Sequence, residues 1–455
     1  MQDMQDSAFS LLPPLVAIVI AIWRRNALFA LLCGVMLCYL MVVNGNPING
    51  FTETVFGIGG VFSSVGNVYI ISFSLLIGAL VTLMNQSGAV NGFINHLASL
   101  NLVKNSRQAS ILPTVIGTTI FTDTNLSMFT AGMASQKLFD QHRLSRARLA
   151  YLIDSTCAPI SILFLINGWG AYVLGLLDGY SFNDPVGILI GTIGYNFYAI
   201  IAVVLAYFTA FSGRVFGPLK HAESVIKDEQ KTTVEHVAPA HIMWIPMLTL
   251  LIGTFIFLWF TGNGDIRRGS GAFSVFWSEV IALALLVILI MRNKLMSLSV
   301  VFKTMITGIK YMSPAVAILV LSFAFGDAIK ALGTGVYVSQ LINVEVPLYL
   351  IAPILFIAAA VMAFATGTSW GTFAILIPIA VPIAQQSGLP IEFLVAAVLG
   401  GGIFGDHASP ISDTTVVASI ASGCDHFEHV KTQLPYALFG GVLTLFIYIL
   451  IGLSF

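Results

Sequence analysis

Charged side chains are scarce in this sequence. Asp, Glu, Lys and Arg make up 9% of it, against 57% apolar residues. A soluble domain carries about 25% charged residues, so this chain lacks the polar surface to live in water. Other absences narrow the class further. The four cysteines, Cys33, Cys38, Cys157 and Cys424, lie in or beside apolar segments. They show neither metal-ligand spacing nor a disulfide framework. No Walker motif appears, so an ion gradient is the expected energy source and no cofactor or nucleic-acid partner is expected. The ten-residue alternation of an outer-membrane barrel is missing as well. What the chain does have is repeated apolar runs of about 20 residues, the length that spans a bilayer as a helix. An all-α polytopic membrane protein follows. The first residues, MQDMQD, are acidic, so the apolar run behind them reads as a membrane helix and not as a cleaved signal peptide.

Apolar runs between polar breaks place spans near 8–23, 27–43, 68–86, 146–178 and 186–213. A polar segment, 214–241, follows, and spans resume near 242–262, 274–291, 312–329, 391–422 and 434–454. Two further stretches, 109–139 and 347–386, each hold two short runs around a Thr/Ser/Gly tip, FTDTNLS and TGTSWGT. Runs that short suit re-entrant hairpins better than crossings. With the N-terminus outside and both hairpins returning to the side they left, 17 of the 20 Lys and Arg fall inside. Only Arg267, Arg268 and Lys330 stay outside. That is the asymmetry expected of cytoplasmic loops.

Each half then has five crossings and one hairpin in the same order, and an odd number of crossings turns the second half upside down. The first repeat is 1–213, the second 242–455, and 214–241 is a cytoplasmic loop between them. Residues echo the repeat. Thr122-Asp123-Thr124-Asn125 matches Thr366-Gly367-Thr368-Ser369, and Ala158-Pro159-Ile160-Ser161 matches Ser409-Pro410-Ile411-Ser412. Inverted repeats with interrupted helices mark secondary transporters, whose sites lie at the repeat interface.

The chemistry gathers at these breaks. Asp154-Ser155-Thr156 precedes Pro159, and Asp406-His407 precedes Ser409-Pro410, with Ser412-Asp413-Thr414 just beyond. Proline frees upstream carbonyls, and carbonyls, hydroxyls and carboxylates are the hard oxygen ligands a small hard cation takes. A carboxylate inside a membrane is costly and functional by default. Asp154, Asp406, Asp413 and Asp123 are therefore the expected cation and proton sites, with Asp123 and Asp413 equally suited to capping helices. Thr122, Thr124, Asn125, Thr366, Thr368 and Ser369 at the tips, and Ser155, Thr156, His407, Ser409, Ser412 and Thr414 at the breaks, are expected ion or substrate contacts. Na⁺ itself is expected at Asp154, Thr156, Asp406 and Ser409. His407 either titrates or acts through hydrogen bonds. Asp327 pairs with Lys330 one turn on, or serves the site. Glu279 reads as an interface or oligomer contact, and His426 and His429 as inner-surface residues.

SRARLAYLIDSTCAPIS together with GDHASPISDTTVVASIASGCDHFEHVKTQLPYAL resembles the NhaC family of Na⁺/H⁺ antiporters. The resemblance runs from about residue 10 to the C-terminus. That family belongs to a group similar in architecture to the divalent-anion/sodium symporters, in which a scaffold domain dimerises and a transport domain moves like an elevator. It implies that Asp154–Ser161 and Gly405–Thr415 are unwound segments and that Thr122–Ser127 and Thr366–Thr372 are the hairpin tips. It also implies a homodimer in the cell's inner (plasma) membrane. Na⁺/H⁺ antiport by alternating access is the expected function. The alternative is a Na⁺-coupled carrier or exchanger of a small organic acid, such as malate or lactate, or of an amino acid. YLID and FGD superficially echo an intramembrane aspartyl protease, but GIFGD is not GxGD, and no enzyme is expected.

Overall fold

The computed structural model describes residues 7–24, 26–99, 103–121, 123–164, 167–180, 182, 184–224, 238–266, 269–334, 337 and 346–455. All regular elements among the described residues are helices. A helix pairs its own backbone N–H and C=O groups, as lipid demands. The first half holds α1 (Leu12–Arg24), α2 (Ala27–Val42), α3 (Pro47–Gly60), α4 (Val65–Gln86), α5 (Ala89–Ser99), α6 (Ser106–Thr119), α7 (Thr124–Gln141), α8 (Arg146–Leu163), α9 (Gly168–Asp178), α10 (Pro185–Tyr195) and α11 (Phe197–Ser212). A short α12 (Gly217–Ser224) opens the loop between halves. The second half holds α13 (His241–Thr261), α14 (Gly271–Arg292), α15 (Leu298–Leu332), α16 (Leu348–Thr366), α17 (Ser369–Ser387), α18 (Ile391–Ala408), α19 (Asp413–Ser422) and α20 (His426–Gly452).

Eight stretches among the described residues are long and apolar enough to cross a membrane, or nine if the two arms of α15, bent by 40° at Pro314, make one span. The chain is an integral membrane protein. Its two apolar cores both draw on both halves: one joins α1, α2, α9 and α10 to α15–α18, the other joins α4–α8 to α13 and α14.

Several expectations change. The single span read at 186–213 is two helices, α10 and α11, separated at Asn196, whose side chain caps α11 at Ala199 N. The span read at 312–329 belongs to a 35-residue helix that begins at Leu298, about 52 Å long at 1.5 Å per residue. The hairpin arms are longer than expected, and Leu348–Thr366 could itself cross a bilayer. Segment 47–60, between the spans placed at 27–43 and 68–86, is helical. Asn46 caps it through Ile48 N and Asn49 N, and Pro47 takes the first helical position, where its missing N–H costs nothing.

The largest correction concerns the first break. α8 runs unbroken through Asp154–Ser161, and the interruption comes later, between Leu163 and Gly168. Pro159 removes one intrahelical donor, while Thr156 Oγ1 and Ser161 Oγ donate back to the Leu152 and Cys157 carbonyls at 2.7 and 2.8 Å. Every residue from Ala147 to Ile162 is buried, so packing holds the helix through the proline. The second break does open within its expected range. α18 ends at Ala408, and α19 starts at Asp413.

Candidate functional site

Asp154 sits mid-way along α8 with no exposed surface. Its Oδ2 accepts from Gln433 Nε2 at 2.7 Å and lies 3.2 Å from His429 Nε2. Both partners stand on α20, four residues apart and so on one helix face. His407, in the last turn of α18, approaches from another side. Its Nε2 is 3.1 Å from the Asp154 carbonyl oxygen and 3.8 Å from Oδ1. A carbonyl only accepts, so Nε2 carries a hydrogen, and Nδ1 shares a hydrogen bond with the Tyr198 hydroxyl at 3.2 Å. His407 therefore engages its neighbours through hydrogen bonds at both ring nitrogens. Asp154 Oδ1, Gln433 Oε1 and His429 Nδ1 are buried without a hydrogen bond. Asp154 Oδ1 is thus a buried acceptor without a donor, an arrangement that a proton on the carboxyl would relieve. A small cavity lined by Tyr151, Ser155, Tyr198, His407, Gln433 and Tyr436 borders them.

Asp406, one residue before His407, has different company. Ser369 Oγ donates to its Oδ2 at 3.0 Å, and Ser412 Oγ donates to its Oδ1. Ser412 Oγ is in turn 2.9 Å from Thr414 Oγ1, and Thr415 Oγ1 donates to the Asp406 carbonyl at 3.3 Å. Ser369 comes from the second hairpin tip and Ser412 from the break. The two are tied together: Ser409 Oγ donates to the Phe364 carbonyl at 2.7 Å. Gly367, at φ +69°, lies so close to the break that a Cβ there would stand 2.5 Å from the Ile411 carbonyl oxygen. This is a carboxylate ringed by hydroxyls, which are hard oxygen donors free to rotate toward a cation.

The other expected residues divide. Thr124 Oγ1 donates to Ser161 Oγ at 3.0 Å, so the first hairpin tip touches α8 just below Asp154 in sequence. Asp123 caps α7 through Leu126 N at 2.7 Å, its capping role. Asn125 Nδ2 reaches the Tyr311 hydroxyl at 3.5 Å, and its Oδ1 is buried without a partner. Thr366 Oγ1 bonds back to Met362 O at 2.8 Å, and Thr368 begins α17 without a side-chain cap. Thr122 and the side chain of Asp413 lie outside the described residues. Of the set expected to hold Na⁺, Asp154 and Asp406 sit in separate hydrogen-bond groups, and the Thr156 and Ser409 hydroxyls donate to the Leu152 and Phe364 carbonyls.

His429 and Gln433 were not among the expected site residues. His429 is fully buried and bound to Asp154, not at the inner surface. The signal was the i, i+4 pair of polar residues opening an otherwise apolar span. His426 supports the break instead, with Nε2 2.7 Å from the Pro410 carbonyl. Lys330 Nζ points to the Gly179 carbonyl and stands 3.8 Å from the Tyr180 ring centre, and Asp327 lines the same small cavity. The segment after α11 also reaches this region. Arg148 ion-pairs with Glu223 at 2.9 Å, and Phe216 N donates to the Tyr436 hydroxyl at 2.7 Å.

Buried carboxylates held between membrane helices, with acceptors poised for small cations, make this an integral membrane ion transporter. A model of the Na⁺/H⁺ antiporter family matches residues 149–453, and the chain belongs to that family of secondary active transporters, as its NhaC resemblance implied. An uncharacterized protein of Haemophilus influenzae is 32% identical over 100% of this chain and 92% of its own length. A malate-2H(+)/Na(+)-lactate antiporter of Bacillus subtilis is 35% identical over 99 residues, 22% of this chain and 21% of that one. Among solved structures, the YdaH transporter of Alcanivorax borkumensis shares the fold with a TM-score of 0.62 at 11% identity, covering 89% of this chain and 90% of that one.

Proposed function

We propose that the two buried carboxylates divide the exchange between them. Asp154, with His429 and Gln433, takes the proton. Asp406, with Ser369, Ser412 and Thr414, takes Na⁺. The observation that carries this reading is the unlike surroundings of the two carboxylates, joined through a single residue. His407 follows Asp406 in the chain and hydrogen-bonds the Asp154 carbonyl. A cation drawn into the hydroxyl ring moves the end of α18 and with it His407, so loading at one carboxylate is felt at the other. Membership of a Na⁺/H⁺ antiporter family supports Na⁺ and H⁺ as the cargo. The hairpin-and-break pairing in each half supports an inverted repeat whose hairpins and broken spans move together between the two faces of the cell's inner (plasma) membrane. In this reading the remaining helices form a stationary, homodimeric scaffold.

Na⁺ binding to purified full-length protein, followed by calorimetry in a weakly buffered solution with a pH indicator, tests the division. Asp406→Asn should lose the Na⁺ signal. Asp154→Asn should keep Na⁺ binding and lose the proton released with it. Unchanged Na⁺ affinity in Asp406→Asn would sink the assignment. Ser369→Ala and Ser412→Ala each remove a hydroxyl oxygen proposed to ligate Na⁺, so each should raise the Na⁺ concentration for half-saturation. Exchange of a small organic acid is the second reading, favoured by the malate–lactate relative. It requires that malate or lactate alter the Na⁺ affinity in the same titration.

A further inference from the structure

Glu279 lies eight residues into α14, a helix that crosses the membrane by length and composition. It has no exposed surface, and neither carboxyl oxygen has a hydrogen-bond partner. Among the described residues no Lys, Arg or His pairs with it. The expectation of an interface contact is therefore overturned: the side chain is enclosed within its own chain. Its neighbours along the helix offer nothing, because Ser274 and Ser278 spend their hydroxyls on the Ser270 and Ser274 carbonyls at 2.6 and 2.7 Å.

The helices around it fix which residues stand at its level. α14 packs on α13, where a Cβ at Gly253 would come within 3.1 Å of Ser278 Oγ, and on α4, where Tyr69 meets Phe273 and Phe276 at 5.7 and 5.1 Å between ring centres. α4 runs antiparallel to α15, since Gly78 crosses Gly308 while Gln86 accepts from Thr304. The short turn after Arg292 reverses α14 into α15, so α4 and α14 run the same way. Moving from Tyr69 to Ser74 on α4 therefore reaches the level of residues 278–281 on α14. Ser74 is buried, and its hydroxyl also lacks a partner.

An ionised carboxylate in such a place would face a desolvation cost that buried groups avoid by neutralising. We infer that Glu279 is a proton-binding site in the α4–α13–α14 bundle, separate from Asp154 and Asp406, that holds its proton while α14 stays packed on α4. The protonated carboxyl carries no charge to be balanced, and the unpartnered Ser74 hydroxyl lies at the same level on α4. Losing the proton needs water between the helices, so deprotonation and separation of α14 from α4 are one event. α4 also packs on α9, the second arm of the interrupted span, and this places a pH-sensitive joint against the moving part of the molecule.

The test uses a hydrophobic carbodiimide, which adds to protonated carboxyls in apolar surroundings. The full chain is labelled in detergent across a pH series and mapped by mass spectrometry of the 271–292 peptide, with a water-soluble carbodiimide in parallel. Glu279 should be labelled by the hydrophobic reagent alone. Labelling should fall about tenfold per pH unit once the group ionises, and added Na⁺ should not alter it. Thermal unfolding gives a second readout. The native protein holds a proton that the unfolded chain gives up, so wild type should lose stability as pH rises. Glu279→Gln, neutral throughout, should not share that loss. Absence of label at every pH, equal labelling by the water-soluble reagent, protection by Na⁺, or parallel stability curves for wild type and Glu279→Gln would each overturn the assignment.

Discussion

Replacing Asp154 by asparagine is expected to stop Na⁺-driven proton movement while leaving the protein folded. Initial ΔpH dissipation in proteoliposomes should fall by at least about a hundredfold, the scale at which losing a positioned proton carrier is felt. The size of the stability change separates two pictures of the site. Asparagine keeps an oxygen for the Gln433 amide at 2.7 Å and deletes a buried charge, whose desolvation opposed folding. His429→Ala does the opposite. It strips a donor 3.2 Å from a carboxylate with no exposed surface, and leaving a buried charge with too few partners costs about 3–5 kcal/mol. The double variant should recover most of that loss, since without the charge His429 has little to satisfy. Thermal denaturation of the four proteins gives the coupling between the two residues. If His429→Ala is as stable as Asp154→Asn in saturating Na⁺, where the proton has left, His429 does not support the ionised carboxylate and its place in the proton site is wrong.

The second large effect belongs to Gly367, the left-handed residue at the tip of the second hairpin. Its φ of +69° costs an L-residue about 1–2 kcal/mol. A Cβ there would also stand 2.5 Å from the Ile411 carbonyl oxygen, and forcing such a contact open adds about 1–3 kcal/mol. Gly367→Ala should therefore destabilise the fold by roughly 2–5 kcal/mol by these two terms. It should also push the tip from the break, carrying Ser369 away from Asp406, so Na⁺ affinity falls together with stability. Gly388, also at positive φ but with no atom within 4 Å of its Cβ, is the control. Gly388→Ala has the backbone cost alone and should leave Na⁺ binding unchanged. Equal loss of Na⁺ affinity in both variants would show that the tip–break contact does not position the site.

Much of this was legible in the sequence because membranes simplify it. Apolar runs locate helices when few charges interrupt them. Thr-, Ser- and Gly-rich tips stand out for the same reason, and Asp154 and Asp406 stood out as carboxylates where solvation is poor. The limits are equally physical. Pro159 looks like a helix breaker because the pattern shows the missing N–H. It does not show the packing around Ala147–Ile162 that holds the helix straight through it. His429 and Gln433 were hidden by their setting: CDHFEHVK reads as a charged membrane surface, and only the fold reveals that one face of that turn points inward. Glu279 was misplaced for the converse reason, since nothing local tells whether the apolar neighbours of a glutamate face lipid or another helix.

The partners of Asp154 have a consequence for how the protein is made. Its carbonyl meets His407 253 residues later in the chain, and its carboxylate meets His429 and Gln433 275 and 279 residues later. During synthesis α8 emerges long before α20, so for most of translation this helix holds an aspartate with none of its three partners. A chain released before His429 should be poorly retained in the bilayer at this segment and be a ready substrate for membrane quality control. The last helix thus serves as the maturation step of the first half as well as a part of the second.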